Sequence, residues 1–276
     1  MKQITVKDFS VTGEEFQLAY DSGLELLKTT PQPTAEEIGR YYESDDYISH
    51  TDGERGLFEK GYQVVKARAL KNKLKIVSSY VKPSGTLLDF GCGTGDFLVE
   101  AKKSGWATIG FEPNASARSR AESKGLSLID DISNIPENSV DVITLWHVLE
   151  HVHDVDYHLN LFSRLLKRDG ILVIAVPNFR SYDAEVYGAF WAAYDVPRHL
   201  WHFSRNAISK LAALADMRVI NEHPMMFDSY YVSLLSERYK TGKMNPIRAF
   251  WNGFRSNQKA SKTGEYSSVI YILKNK

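Results

Sequence analysis

The chain has 276 residues, 43% of them hydrophobic, and its 34 Lys and Arg residues equal its 34 Asp and Glu residues. That is enough apolar material for one large or two small domains, and the charge balance argues against a global attraction to nucleic acid or to a membrane. A single cysteine excludes an intramolecular disulfide and a zinc site built on cysteines. With no apolar leader at Met1 and no apolar run of spanning length, we expect a cytoplasmic protein.

Residues 1–53 are predicted to form a small N-terminal extension. Apolar and polar residues alternate up to about residue 30, with a turn at Ser22-Gly23, which indicates short strands. Thr34 and the acids after it are typical of a helix start, and this short helix should reach Tyr42. From Glu54 to Val81, apolar residues spaced three and four apart predict a long amphipathic helix.

The central feature of the sequence is a glycine-rich stretch, Leu87-Leu88-Asp89-Phe90-Gly91-Cys92-Gly93-Thr94-Gly95-Asp96-Phe97. It predicts a strand, a loop and a helix start, the place where open α/β folds hold an adenosine-bearing cofactor. Glycines lack a Cβ, so Gly91, Gly93 and Gly95 can let a ligand approach the backbone closely. Asp96 argues against a dinucleotide, because a carboxylate there would repel a pyrophosphate.

A second acid supports a nucleoside site. The strand Ala107–Phe111 delivers Glu112, 21 residues after Gly91, where a βαβ unit places a carboxylate that accepts hydrogen bonds from both ribose hydroxyls. Two further strands are predicted at 126–129 and 140–146, the second followed by His147-Val148-Leu149-Glu150-His151.

The glycine-rich stretch resembles motif I of the class I S-adenosylmethionine-dependent methyltransferases, and residues 140–152 resemble motif IV of the quinone-biosynthesis type. The resemblance implies a Rossmann-like, doubly wound, seven-stranded and mostly parallel α/β sheet, in which the last strand, 266–273, lies antiparallel. It implies that the acid after the third strand contacts the adenine amino group while its apolar neighbour packs on the ring. Asp130 and Asp131 both fit this position, and we favour Asp131 with Ile132; Trp146 and His147 are expected to flank the cofactor. The predicted cofactor-binding set is Asp89, Phe90, Gly91, Cys92, Gly93, Gly95, Glu112, Pro113, Asp131, Ile132, Trp146 and His147.

The resemblance also bears on the N-terminal extension. Many bacterial relatives carry a zinc ribbon here, but Ala19 and Ser22 stand where its cysteines would be, so we expect a degenerate ribbon without metal. Residues 47–50 either pack on the core or form a lid over the cofactor, as this segment does in similar enzymes.

The pentapeptide from His147 to His151 also matches the H-x-x-E-H pattern of inverted zinc peptidases. It follows a buried strand of a βαβ series and no third ligand is evident, so we expect no metal site.

Residues 54–276 are predicted to form the methyltransferase domain, with two insertions. A helix over 154–167 and a buried strand over 171–176 lead to an aromatic and histidine-rich insertion at about 178–203, which either covers the substrate or adds core packing. A helix after Ser204 and a strand from Met217 precede the second insertion, at about 226–262. Its residues 238–262 hold seven Lys or Arg and no acid, along with Phe250, Trp251 and Phe254. They either contact a membrane or an anionic substrate, or form a solvated basic face over a packed aromatic stripe.

These features predict methyl transfer from S-adenosylmethionine to an oxygen, nitrogen or carbon nucleophile of a small molecule. His151 or His199 would remove the proton, with Glu150 near the transferring carbon. A nicotinamide-dependent oxidoreductase and a cofactor-binding protein without catalysis are the alternatives. The sequence does not identify the acceptor or the oligomeric state, and no nucleic acid partner is expected.

Overall fold

A computed structural model describes residues 4–42 and 57–276 of the chain. The cluster predicted as lid or core packing at 47–50 and the predicted boundary at residues 53 and 54 lie outside the described residues.

The core of the molecule is a seven-stranded sheet in the order β10-β11-β8-β7-β4-β5-β6. Strands β4 to β8 run parallel, whereas β11 is antiparallel to both β8 and β10. The strand order reverses between β4 and β7, which creates the crevice where such sheets bind ligands. The predicted Rossmann-like fold is therefore confirmed. The strands are β4 (Thr86–Phe90), β5 (Ala107–Phe111), β6 (Leu128–Ile129), β7 (Val140–Trp146), β8 (Leu166–Pro177), β10 (Met217–Pro224) and β11 (Ser268–Asn275).

Helices cover both faces of this sheet, and each face has its own buried apolar cluster. The α-helices are α1 (Leu57–Tyr80), α2 (Asp96–Lys103), α3 (Ala115–Ser123), α4 (Val155–Leu165), α5 (Tyr182–Tyr187), α6 (Arg205–Leu214), α7 (Asp228–Thr241) and α8 (Pro246–Thr263). Side chains of Asn114, Asp154 and Ser204 accept a hydrogen bond from the first turn of α3, α4 and α6. These caps fix where the three helices begin.

One predicted boundary is wrong. The helix expected over 154–167 ends at Leu165, and β8 begins at Leu166, well before the strand predicted from Ile171. Leu166 pairs with Val140 across a register shift in β7, so the polar residues between them belong to the strand. A glycine suits position 170 in this shifted pairing, because a Cβ there would lie only 3.1 Å from the Asp141 carbonyl oxygen.

The N-terminal residues form the predicted short strands, β1 (Ile4–Lys7), β2 (Glu15–Asp21) and β3 (Leu26–Thr30). They build an antiparallel sheet that is completed by β9 (Trp201–His202), which pairs with β3 and comes from the first insertion. The helix expected after Thr34 is a 3₁₀ helix of five residues, Ile38–Tyr42. Ala19 lies within β2, and the predicted degenerate ribbon stays a prediction.

A buried ion pair joins this small sheet to the first insertion. The Arg198 guanidinium lies 2.9 Å from the Asp8 carboxylate and 2.6 Å from that of Asp195, and it also donates to the Tyr41 carbonyl oxygen at 2.8 Å. Because the Arg198 and Asp8 side chains are 1% and 0% exposed, their pairing is needed to offset the loss of water.

The second insertion consists of helices α7 and α8, which pack against each other. Gly242 ends α7 in the left-handed conformation, and Asn245 caps α8, which begins at Pro246. Among the helices of the described residues, none has the length and hydrophobicity needed to cross a bilayer.

Candidate functional site

The glycine-rich loop connects β4 to α2 at the point where the strand order reverses. Gly91, Gly93 and Gly95 all have positive φ, at 74°, 55° and 79°. A Cβ on Gly91 would meet Val148 at 2.6 Å and one on Gly95 would meet Leu126 at 2.3 Å, whereas a Cβ on Gly93 would meet no described atom within 4 Å. The outer two glycines therefore allow packing, and Gly93 borders open space that can admit a ligand.

Glu112 lies at the end of β5, directly beside this loop. Its Oε2 accepts the Gly93 N–H at 2.8 Å and its Oε1 accepts the Asn114 N–H at 2.8 Å. The residue is 8% exposed. Each carboxylate oxygen has a second acceptor position, so the geometry leaves Glu112 able to bind a ligand's hydroxyl groups while it braces the loop. Pro113, next to it, is exposed.

Two residues of the loop sequence point into the protein. Phe90 is 4% exposed and stacks on Phe111 with ring centroids 4.8 Å apart. Cys92 is buried in the apolar cluster, and a Cβ on Gly110 would lie 3.1 Å from its sulfur. Burial raises the pKa of the Cys92 thiol to about 12, so Cys92 is not a nucleophile at neutral pH. The side chains of Phe90 and Cys92 therefore contribute to the packing of the core.

Asp96, the carboxylate expected to repel a pyrophosphate, is paired with two lysines in the structure. Its carboxylate lies 2.7 Å from Lys66 Nζ on α1 and 2.6 Å from Lys124 Nζ after α3. Two ammonium groups neutralise it, so its charge does not by itself repel a phosphate. The sequence could not reveal this, because the three residues come from separate elements.

A lysine that the sequence analysis missed lies at the same end of the sheet. Lys73 Nζ on α1 sits 4.4 Å from the centroid of the Trp146 ring, and its charge acts on Asp89 and Asp228. Burial raises the pKa of Asp89 to about 7, against the opposing effects of Thr144, which donates to its Oδ1 at 2.6 Å, and of Lys73. Asp89 thus braces β4 against β7 below the loop.

Neither aspartate after β6 is free to turn toward a ligand without breaking a local contact. Asp130 lies 2.7 Å from Arg118 Nη1. The carboxylate of Asp131 caps the turn at Ile132–Asn134 by accepting the Ser133 N–H at 2.8 Å and its hydroxyl at 2.6 Å. Ile132 is 8% exposed. The assignment of Asp131 and Ile132 to an adenine stays a prediction.

His147, at the end of β7, is held between two carboxylates. Its Nδ1 lies 3.3 Å from Glu150 Oε1 and its Nε2 lies 3.2 Å from Asp228 Oδ2 on α7. Burial alone would lower the pKa of His147, but Asp228 and then Glu150 raise it to about 9. His147 is therefore a cation at neutral pH and cannot accept a proton there. Asp228 was not singled out in the sequence, since it starts the second insertion.

The three predicted catalytic residues lie together. Glu150, His151 and His199 each offer a ligand atom, and these atoms lie within 4.8 Å of one another. The two imidazole rings are perpendicular with centroids 4.6 Å apart. Glu150 is 1% exposed, and its Oε2 has no hydrogen-bond partner among the described residues. The His147 cation balances its charge through Oε1, and Oε2 remains open to a hydrogen-bond donor of a ligand.

Backbone carbonyls orient both rings toward this carboxylate. His151 Nδ1 donates to the Arg198 carbonyl at 3.0 Å, and His199 Nδ1 donates to the Ala193 carbonyl at 2.9 Å. Carbonyls only accept, so in the neutral rings each Nε2 keeps its lone pair. Burial, reinforced by His199, lowers the pKa of His151 to about 4 and keeps it neutral. Two neutral imidazoles and a carboxylate are also a suitable ligand set for a divalent transition metal.

A cavity of about 390 Å³ opens beside this cluster. His147 lines it from the sheet side, the first insertion adds Asp195 and His199, and α7 adds Asp228, Tyr231 and Leu235. Its size and its mixture of aromatic, aliphatic and charged groups suit a small organic molecule. The aromatic insertion thus both packs on the core, through Trp191 at 1% exposed, and lines the cavity.

A model of the methyltransferase domain family matches residues 62–222, which is more than half of the chain. The ubiquinone biosynthesis O-methyltransferase of Rhodopseudomonas palustris strain TIE-1 is 30% identical over 129 residues, covering 42% of this chain and 50% of that protein. The protein of the same name from Actinobacillus pleuropneumoniae is 32% identical over 136 residues, covering 43% of this chain and 58% of that protein. The chain spans about half the length of these curated relatives.

Solved structures share the fold. A magnesium protoporphyrin IX methyltransferase from Synechocystis PCC 6803 with bound SAH superposes with a TM-score of 0.57 at 12% identity, over 86% of this chain and 97% of that one. A SAM-dependent methyltransferase from Archaeoglobus fulgidus gives a TM-score of 0.52 at 20% identity, over 79% of this chain and 98% of that one. Together with the domain match, the sheet order and the glycine loop, these likenesses lead to one conclusion: the chain belongs to the methyltransferase domain family.

Proposed function

We propose that the chain binds S-adenosylmethionine along Gly91–Gly95 and transfers its methyl group to an oxygen, nitrogen or carbon nucleophile of a small molecule. The observation that carries the proposal is Glu112, which braces the open side of Gly93 and keeps acceptor positions for ribose hydroxyls. The similar proteins support it, since they include a ubiquinone biosynthesis O-methyltransferase and a magnesium protoporphyrin IX methyltransferase. Asp131, Ile132, Trp146 and His147 would contact the rest of the cofactor.

The residues of this chain would act mainly by placing the two reactants. Methyl transfer is an in-line displacement at carbon, so alignment and exclusion of water supply most of the acceleration. The cavity beside His147 would hold the acceptor, and the cluster of Glu150, His151 and His199 would receive its nucleophilic group. The Glu150 oxygen without a hydrogen-bond partner would accept a hydrogen bond from the acceptor hydroxyl or amine, and His151 or His199 would take its proton.

A second proposal concerns the same cluster. Because the pKa of His151 is about 4, its imidazole is a weak proton acceptor at neutral pH. The compact arrangement of one carboxylate and two imidazoles would instead hold a divalent cation. Such an ion would lower the pKa of an acceptor hydroxyl bound to it. The three residues would then orient the acceptor through the ion.

Isothermal titration with S-adenosylmethionine, S-adenosylhomocysteine and NADH tests the cofactor class. The proposal expects binding of the first two ligands and none of NADH. A nicotinamide-dependent oxidoreductase would show the opposite order, and binding without turnover on any acceptor would indicate a non-catalytic binding protein.

We further propose that residues 238–262 contact a membrane or an anionic ligand, as their seven cations and lack of acids suggest.

A further inference from the structure

Helix α8 packs on the protein through its small residues. Ala249, Gly253, Ser256 and Ala260, spaced four, three and four apart, form its buried face. A Cβ on Gly253 would lie 2.7 Å from the Tyr230 ring and 3.0 Å from its backbone, so α7 and α8 approach closely. The packed stripe expected from the aromatic residues is therefore made of small residues instead.

The large apolar residues of α8 face outward. Ile247, Phe250, Trp251 and Phe254 are 75%, 54%, 55% and 43% exposed. Their spacing places them on one side of the helix, and the three rings lie within 6.5 Å of each other, centroid to centroid. An ordinary surface helix buries such residues and exposes polar ones, so this helix has the reverse arrangement.

The start of α7 extends this apolar surface. Asn257 on α8 donates to the Met226 carbonyl at 2.9 Å, which brings the two segments side by side. Met226 and Phe227 are 52% and 58% exposed. A contiguous apolar patch of this kind on a folded protein indicates an interaction surface.

A row of cations runs beside the patch. Arg248, Arg255 and Lys262 are spaced seven residues apart and so lie along one line of α8, next to the side that carries Ile247 and Trp251. No Asp or Glu occurs from Arg238 to Lys262. Arg248 lies 4.0 Å from the buried Glu237 carboxylate on α7, but the flank keeps an excess of positive charge. The partner of this surface therefore has to accept both large apolar side chains and cations.

We propose that α8 and the start of α7 form a docking surface for an anionic lipid bilayer. A helix with an apolar face and a cationic flank lies in the headgroup region, with its rings at the acyl boundary and its cations among the phosphates. A second copy of the chain fits less well, because a symmetric pairing would place the two cationic rows against each other without an acid in either.

The docking surface adjoins the acceptor cavity through α7. Tyr230 stacks on Phe250 with centroids 5.5 Å apart, while the neighbouring Tyr231 lines the cavity and is 49% exposed. Docking would therefore place this wall of the cavity at the bilayer surface. This position of the cavity, taken together with the proposed function on which the inference rests, assigns the acceptor to amphiphilic molecules that partition into the bilayer.

Vesicle sedimentation tests the docking with the full chain. We expect binding to vesicles that contain phosphatidylglycerol and loss of this binding at high salt. Binding to vesicles of phosphatidylcholine alone should be weaker by about tenfold or more. Two substitutions of exposed residues, Trp251→Ser with Phe254→Ser, should lower binding at least about tenfold. The matched control is Tyr157→Ser, which removes an aromatic residue that is 51% exposed on α4.

Equal binding of the double variant and the wild type would overturn the proposal. A second pair of results would also overturn it: the wild type does not bind vesicles, and it sediments as a dimer that the substitutions Trp251→Ser with Phe254→Ser convert to a monomer. Titration of each variant with S-adenosylmethionine separates this test from the proposed function, since vesicle binding can fail while cofactor binding persists.

Discussion

The Glu112 carboxylate accepts the backbone N–H of Gly93 at 2.8 Å and so ties the end of β5 to the turn after β4. A carboxylate in this position has two tasks, because it holds the loop in shape and still presents acceptor positions to a ligand. Both strands end at the same edge of the sheet, next to the point where the strand order reverses. The cofactor assignment depends on this contact.

Glu112→Ala should lower the affinity for S-adenosylmethionine by about tenfold to a hundredfold, as expected when two hydrogen bonds to a charged group are lost. Titration calorimetry measures this directly. Asp130→Asn is a suitable control, because the Asp130 side chain is 90% exposed and pairs only locally with Arg118. Equal losses in the two variants would contradict the role given to Glu112.

Two glycine substitutions should separate packing from ligand contact. Gly95→Ala places a Cβ 2.3 Å from Leu126 and should destabilise the fold by about 1–3 kcal/mol. Gly93→Ala meets no described atom within 4 Å, so it should cost about 1 kcal/mol of backbone strain but strongly weaken cofactor binding. Urea unfolding and calorimetry together check this. A large stability loss with intact binding in Gly93→Ala would refute the assignment of the open space.

The buried pair of Asp8 and Arg198 should make stability depend on pH on the acid side. Burial alone would raise the pKa of Asp8, but hydrogen bonds from Arg198 and from the Thr12 backbone hold it below its usual value. The stabilisation is therefore present above a pH of about 4 and is lost as the pH falls through the lowered pKa. Asp8→Asn should be less stable by about 3 kcal/mol at pH 7, and the gap should shrink on acidification. A gap that is independent of pH would exclude this linkage.

Divalent cations should raise the unfolding temperature if Glu150, His151 and His199 form a metal site. Differential scanning fluorimetry with Mn²⁺, Co²⁺ or Zn²⁺ should show a shift in the wild type that disappears in His199→Ala. His153→Ala is the control, since His153 lies on the same segment as Glu150 and His151 but contacts the Pro33 carbonyl instead. Identical behaviour of wild type and His199→Ala would leave the cluster as a proton acceptor only.

Much of the framework is readable from local patterns. The strand, loop and helix around Gly91–Gly95, the strand ending at Glu112 and the antiparallel last strand all follow from hydrophobic periodicity, from turn residues or from the resemblance those residues carry. The boundary before Leu166 is not readable, since it depends on a register shift against Val140 in another strand.

The chemistry of the site depends on contacts between distant segments. His199 reaches Glu150 and His151 because β9 pairs with the N-terminal β3 and the Leu200 N–H donates to the Glu150 carbonyl at 2.8 Å. Lys73 and Asp228 enter the site from α1 and α7. Hydrophobic periodicity does not reveal contacts between residues that are so far apart in the sequence. The orientation of α8 also depends on tertiary packing, because its small residues fit against Tyr230 and leave the aromatic ones outside.

Calorimetric titration of the purified chain with S-adenosylmethionine and, separately, with NADH determines which cofactor the loop at Gly93 and Glu112 binds. We expect saturable heat with S-adenosylmethionine, a loss of that heat in Glu112→Ala, and no heat with NADH. Saturable binding of NADH with no response to S-adenosylmethionine or S-adenosylhomocysteine would contradict this expectation.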